Sequence, residues 1–177
     1  MARFLREHPH MGQAGCDHPA LLGCTDVDWS QIPGCPAGIP ILLCALLDGE
    51  AGPEALTALD NVLMSGPLRM SAVMPAALPF LMRLAALPDL VVRPGLVDLL
   101  VVAAELSSPV DADEERQVLL FGKDCDRPER EECRAVFAAH AAVLGALLED
   151  ETLSDGLIGT DGRECLLRAA GLERYPS

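Results

Sequence analysis

Proline and glycine fall along this chain at intervals that leave room for little except helices. Pro40, Pro53, Pro94 and Pro128 each stand at the head of a stretch with helical character, while Gly49, the Ser65-Gly66-Pro67 group and Gly171 close such stretches. Proline suits the first turn of a helix because the N–H it lacks would be unpaired there, and glycine ends helices because it enters the left-handed region without steric cost. These marks predict helices at 39–48, 53–64, 68–87, 94–107, 112–121, 128–149 and 161–170.

Apolar periodicity agrees with the punctuation. Leu56, Leu59 and Leu63 recur at helical spacing, as do Ala55, Ala58 and Val62. The segment 68–87 contains Pro75 and Pro79, and interior prolines kink or divide a helix, so a short helix followed by one at 75–87 is expected. The segment 94–107 is almost wholly apolar from Leu96 to Leu106, which predicts the most buried element, with Asp98 and Glu105 marking the face that stays wet. The longest predicted helix, 128–149, carries Cys133, Val136, Phe137, His140, Leu144, Leu147 and Leu148 as one stripe. No strand is expected, because the only β-flavoured run, Leu90-Val91-Val92, is cut short by Pro94. The class is therefore all-α, with short connections of the kind that join antiparallel neighbours. Residues 1–28 show little periodicity and are expected to form an irregular arm ahead of one helical domain at 29–177.

Charge narrows the possible partners. Lys and Arg number 13 against 27 Asp and Glu, a net charge of −14. That balance excludes a nucleic-acid binder, whose affinity for phosphates comes mostly from Lys and Arg, and equally a polybasic membrane-surface module. Hydrophobic residues make up 50% of the chain, and with glycine the apolar share exceeds the ~45–50% typical of soluble domains. Two readings stay open: a compositional habit rich in Ala and Leu, or apolar surface covered by another protein chain. The opening MARFLREHPH lacks the apolar core of a secretory signal. The uncharged run from Trp29 to Leu47 is broken by Pro33, Pro36 and Pro40, so nothing approaches the ~20 apolar residues a membrane span needs. Seven widely spaced cysteines predict reduced thiols and a cytoplasmic address, with Cys44, Cys133 and Cys165 as small core residues.

Several constellations carry chemical potential. His8, His10, Cys16, His18 and Cys24 are the densest set of metal-ligand types, but their gaps are irregular and no Cys-x-x-Cys occurs, so no metal is expected. Arg127, Arg130 and Arg134 fall at i, i+3 and i+7 near a helix N-terminus, where guanidinium groups and the dipole together could hold a sulfate, phosphate or carboxylate. The competing reading is ion pairing with the acids around them, Asp124, Asp126, Glu129, Glu131 and Glu132. His140 on its apolar stripe is either a proton-transfer group or a buried imidazole bonded to a carbonyl or carboxylate; Cys133, ~10.5 Å away along the axis, is too far to pair with it. Asp60 borders the Leu56/Leu59/Leu63 face and could act as a general base, or could bind a neighbouring helix end or Arg69. The nucleotide-binding glycine loops, the His-Glu-x-x-His zinc motif and the Gly-x-Ser-x-Gly elbow do not occur, and no cofactor is expected.

From Trp29 to Leu106 the order of segments is distinctive: DWSQIPG, then IPILLCALLDGE, ALDNVLMSG, PAALPFLMRLAAL and LVDLLVVAAEL. That order resembles the short HEAT-like helical-repeat proteins of the actinobacterial type, and the helix at 128–149 is similar to a further repeat. Members often carry His-Gln-Gly after the second helix, where this chain has Met64-Ser65-Gly66, so the roles of that His and Gln are not transferred. The resemblance implies antiparallel hairpins stacked as a short solenoid over 29–177, with a concave face that binds something; it implies no reaction. The leading expectation is a protein-binding scaffold or non-catalytic subunit. The alternative is a subunit of a heteromeric biosynthetic enzyme acting on an anionic small molecule, as in sulfate-eliminating aziridine closure. In that case Arg127, Arg130 and Arg134 would hold the leaving anion, and Asp60 or His140 would take a proton.

Overall fold

A computed structural model describes residues 2–12, 17–153 and 157–172. Within them the chain is mostly helical, and the class is all-α. In order come α1 (Ala2–Glu7), α2 (Ile39–Ala45), α3 (Gly52–Leu63), a hairpin of β1 (Met64–Gly66) and β2 (Arg69–Met70), α4 (Met74–Ala85), α5 (Arg93–Ser107), α6 (Glu115–Phe121), α7 (Pro128–Ala139), α8 (Ala141–Glu149) and α9 (Thr160–Ala169). α4, α5 and α7 pack on one another at the centre, α9 lies against α5, and α2 packs on α3.

Prolines open α2, α3, α4, α5 and α7, as the punctuation requires. Pro79 sits inside α4 without dividing it. α4 is buried almost all round, through Met74, Leu78, Leu81, Met82 and Leu84, and is more completely enclosed than α5. The expectation that 94–107 would be the most buried element is thus corrected: α5 keeps Asp98 and Glu105 exposed, while α4 carries only Arg83 to the edge of the core.

Three further expectations change. The short helix anticipated before residue 75 is instead the hairpin, in which Met64 pairs with Met70. Pro67 disfavours helical backbone at Gly66, and the Ser65 hydroxyl donates to the carbonyls of Arg69 (3.3 Å) and Met70 (3.2 Å), which closes the turn. The helix at 128–149 is broken at His140 (φ −109°, ψ 21°), whose N–H is shared between the carbonyls of Val136 (3.0 Å) and Phe137 (3.2 Å). No proline or glycine marks that break. The arm at 1–28 is not irregular where it is described: α1 and short 3₁₀ turns at Pro9–Gly12 and Pro19–Leu21 bury Phe4, Met11 and Leu21 against the domain. Trp29, in a further 3₁₀ turn, donates its indole N–H to the Cys24 carbonyl (2.8 Å) and stacks at a tilt on Phe80.

Cys133 and Cys165 are free core thiols, and burial pushes the Cys133 thiol up to about 12. Cys44 departs from the expected pattern, being disulfide-bonded rather than a reduced core thiol.

Arginine closes several helix ends. The last carbonyls of a helix lack intrahelical donors and carry the negative pole of its dipole, so a guanidinium fork is well suited to them. Arg93 Nε donates to the Ala85 carbonyl at the end of α4 (2.9 Å), Arg134 to Ser107 (2.7 Å) and Arg130 to Ser108 at the end of α5, and Arg163 to Leu148 in α8.

Candidate functional site

α3 and α5 meet at Gly95, where a Cβ would stand 2.5 Å from the Leu56 Cδ2 atom. With a side chain there, the tip of Leu56 would have to turn aside from its present position. Beyond the contact the two helix faces bound an open groove of about 660 Å³. α3 lines it with Leu56, Thr57, Asp60 and Asn61, followed by Met64; α5 lines it with Gly95, Asp98, Leu99 and Val102. Both sets repeat every three or four residues, which is why each falls on one face of its helix. The hairpin turn adds Gly66 and Pro67.

The groove has an apolar floor and an acidic rim. Asp60 and Asp98 are exposed, come from opposite walls, and pair with no cation among the described residues. The Thr57 hydroxyl donates to the Pro53 carbonyl (3.0 Å), and the Asn61 amide nitrogen to the Thr57 carbonyl (2.7 Å). Across the hairpin lies a second cavity of about 590 Å³, bordered by Pro33, Pro36, Ser65, Arg69 and Glu129. It shares Asn61 and Met64 with the first, so the end of α3 borders both. Arg69 lines only the second and forms no ion pair with Asp60.

The arginine cluster closes on the protein itself. Arg134 meets one Asp124 carboxylate oxygen at 3.2 Å and Arg130 the other at 3.4 Å, while the same two side chains hold the carbonyls ending α5. Asp124 thereby occupies the position an outside anion would take. Arg130 is 5% exposed, and burial pulls its pKa below the ordinary arginine value. Arg127 lies across Gly122, where a Cβ would come within 3.3 Å of its Nε. The cavity touching Arg127 and Arg130 is about 10 Å³, room for roughly one water rather than a sulfate or phosphate. Of the two readings of this cluster, the geometry shows ion pairing for Arg130 and Arg134.

His140 is held at the α7–α8 break, with its Nδ1 buried and without a hydrogen-bond partner among the described residues. It lines neither the groove nor the arginine cavity, so the two residues expected to move protons, Asp60 and His140, are not brought together. Of the histidines of the arm, His8 and His10 tether it to the domain and His18 caps the turn at Pro19–Leu21. His8 Nε2 meets Glu54 at 3.0 Å, His10 Nε2 meets Asp48 at 3.4 Å, and His18 Nδ1 accepts from the Ala20 amide at 3.2 Å. The amides of Ala51 and Glu50 hold the Asp48 carboxyl below the usual carboxylate range, with His10 adding to the effect. Cys24 is buried on its own, and Cys16 lies outside the described residues. Among the described residues no group of three or more His, Cys, Asp or Glu side chains could hold a metal ion, and no helix is long and apolar enough to cross a membrane.

Two residues central to this geometry were not singled out from the sequence, although signals exist for both. Gly95 interrupts a strong helix at a cost of about 1 kcal/mol relative to alanine, which marks a close approach. Arg93 places a cation at the positive end of a helix, where the dipole disfavours it unless the guanidinium reaches elsewhere. It does so, to Ala85, Thr152 (2.7 Å) and Asp150, and is 3% exposed.

No family model, no curated protein and no solved structure matches the chain.

Proposed function

We propose that this protein is a HEAT-like domain of stacked helical hairpins that works by binding another protein, as a scaffold or non-catalytic subunit, with the α3/α5 groove as its contact face. The observation that carries this reading is the groove itself: an open cleft with an apolar floor between two helices, with a second cavity beyond the hairpin. Such clefts accept side chains of a partner segment in the helix-in-groove manner. The order of segments from Trp29 to Leu106 supports the repeat assignment.

The alternative, a subunit of a heteromeric biosynthetic enzyme acting on an anionic small molecule, draws less support. It needs free arginines beside a proton acceptor, whereas Arg130 and Arg134 hold Asp124 and helix carbonyls, and Asp60 faces Asp98.

Site-specific photo-crosslinking in native cells tests the reading. A photoreactive residue at Thr57 should give a discrete protein adduct, while the same residue at exposed Leu119 on α6 should not. No adduct from Thr57, together with a chain that elutes alone as a monomer from fresh lysate, would overturn it.

A further inference from the structure

The polar side-chain atoms around the α3/α5 groove are mostly acceptors. Asp60 and Asp98 present carboxylates from opposite walls with no donor of the chain upon them among the described residues. The Thr57 hydroxyl donates to the Pro53 carbonyl and one Asn61 amide hydrogen to the Thr57 carbonyl, which leaves Asn61 a single further donor. No lysine, arginine or histidine is among the lining residues. Between the carboxylates the floor is apolar, formed by Leu56, Met64, Leu99 and Val102.

Each class of occupant meets this surface differently. An anion would find only like charge, in a chain whose net charge is already −14. A purely apolar ligand would cover two carboxylates without pairing them, which is costly. A cation carried on an apolar body satisfies both parts at once. Length argues for a chain segment rather than a small amine. From Leu56 to Met64 the wall runs about 12 Å at 1.5 Å per residue, and Asn61 and Met64 at its far end also border the second cavity.

Resting on the partner-binding reading above, we infer that the α3/α5 groove docks a basic amphipathic segment of a partner protein, seating a lysine or arginine between Asp60 and Asp98 and apolar side chains on the floor. Asp60 and Asp98 are then the specificity determinants. They admit a donor-bearing cation and reject acidic segments of equal hydrophobicity, because complementary charge across an interface selects partners and speeds encounter.

The test uses the full chain and two labelled amphipathic probe peptides of matched length, one of leucine and lysine and one of leucine and glutamate, followed by fluorescence anisotropy. The leucine–lysine peptide should bind, and more weakly as salt rises, while the leucine–glutamate peptide should not. Asp60→Asn with Asp98→Asn should weaken binding about tenfold, whereas Glu131→Gln with Glu132→Gln, the same change of charge on exposed positions of α7, should change it less than about twofold. Equal loss in both double variants would overturn the inference, since attraction to the acidic chain as a whole would then explain binding. Tight binding of the leucine–glutamate peptide would also overturn it. Amide shifts in the unaltered protein give a measure independent of variant folding: the leucine–lysine peptide should move Thr57–Met64 and Gly95–Val102, and shifts confined to other segments count against the site. The crosslinking experiment keeps the two ideas separable. A Thr57 adduct whose attached peptide is acidic sinks this inference and leaves partner binding standing. Absence of any protein adduct, with the probe peptide still seated in the groove, sinks the scaffold reading and leaves the cation preference standing.

Discussion

At its two ends, α5 is fastened by arginines that face inward, while along its flank Asp98 lines the groove with Asp60 and has no ion-pair partner among the described residues. Arg93 joins the start of α5 to the end of α4 and to Asp150 and Thr152 in the loop after α8. Arg130 and Arg134 hold its final carbonyls and share Asp124. The same helix thus carries charges with structural employment and charges without it. The contrast teaches where to look for function in an acidic chain: with several of its few cations committed to helix ends, unpaired carboxylates remain on the surface, and those bordering a cavity are the ones free to meet a ligand.

The sharpest way to break that contrast is Arg93→Ala. It removes three hydrogen bonds at a residue that is 3% exposed, leaves the Ala85 carbonyl without its side-chain donor, and leaves Asp150 with Thr152 alone. Leaving a buried acceptor such as the Ala85 carbonyl unpaired costs about 1–3 kcal/mol, and the lost bonds to Thr152 and Asp150 add to it, which urea unfolding would register as a large fall in the midpoint. Arg93→Lys should recover only part of the loss, because an ammonium does not reproduce the planar fork that reaches all three acceptors. Arg130→Ala should cost less, about 1–3 kcal/mol, since Asp124 keeps Arg134 and only the Ser108 carbonyl loses its donor outright. If either change left the midpoint unmoved, the inward arginines would not be structural.

Acid titration sharpens the same comparison with a smaller effect. The Thr152 hydroxyl and amide, and then Arg93, hold the Asp150 carboxyl below the usual carboxylate range. A folded pKa below the unfolded one means stability that is fully present above about pH 4 and lost as pH falls through the folded value. Melting temperature should therefore decline with acid below about pH 4, and Asp150→Asn should make that decline shallower. An identical slope in the variant would show that Asp150 is not tied to Arg93 in solution.

The helical framework was legible because its signals are local. Proline at the first turn, glycine at the close and leucine at helical spacing placed most helices to within a few residues. The failures share a cause in contacts remote along the chain. Nothing near His140 announces a break, and the turn at Gly66-Pro67 could be read as a helix boundary as easily as a hairpin. The arm looked irregular because its turns are too short for periodicity, although Phe4, Met11 and Leu21 find a surface to cover them. At the candidate site, spacing placed Asp60 on the edge of its apolar face and Asp98 on a wet one. That the two faces meet, with Gly95 against Leu56, is a pairing across 39 positions that no local pattern encodes. The arginine run was ambiguous for the complementary reason, since its decisive partners are carbonyls at the end of α5, and backbone acceptors leave no mark in a sequence.

The smallest effect is expected where the contrast is most exposed to failure, at Asp60→Asn and Asp98→Asn. Both residues are exposed, and neither carboxylate has an ion pair to lose among the described residues. Asp60 also stands near the end of α3, where the dipole is unfavourable to an anion. Removing either charge from a chain at −14 relieves some self-repulsion. Each variant should therefore unfold within about 0.5 kcal/mol of the parent, on the stabilised side at low ionic strength, and the difference should vanish as salt screens the surface. A loss comparable to that of Arg130→Ala would mean that these carboxylates fasten the fold as the arginines do. They would then not be available to a partner, and the division of labour along α5 would not exist.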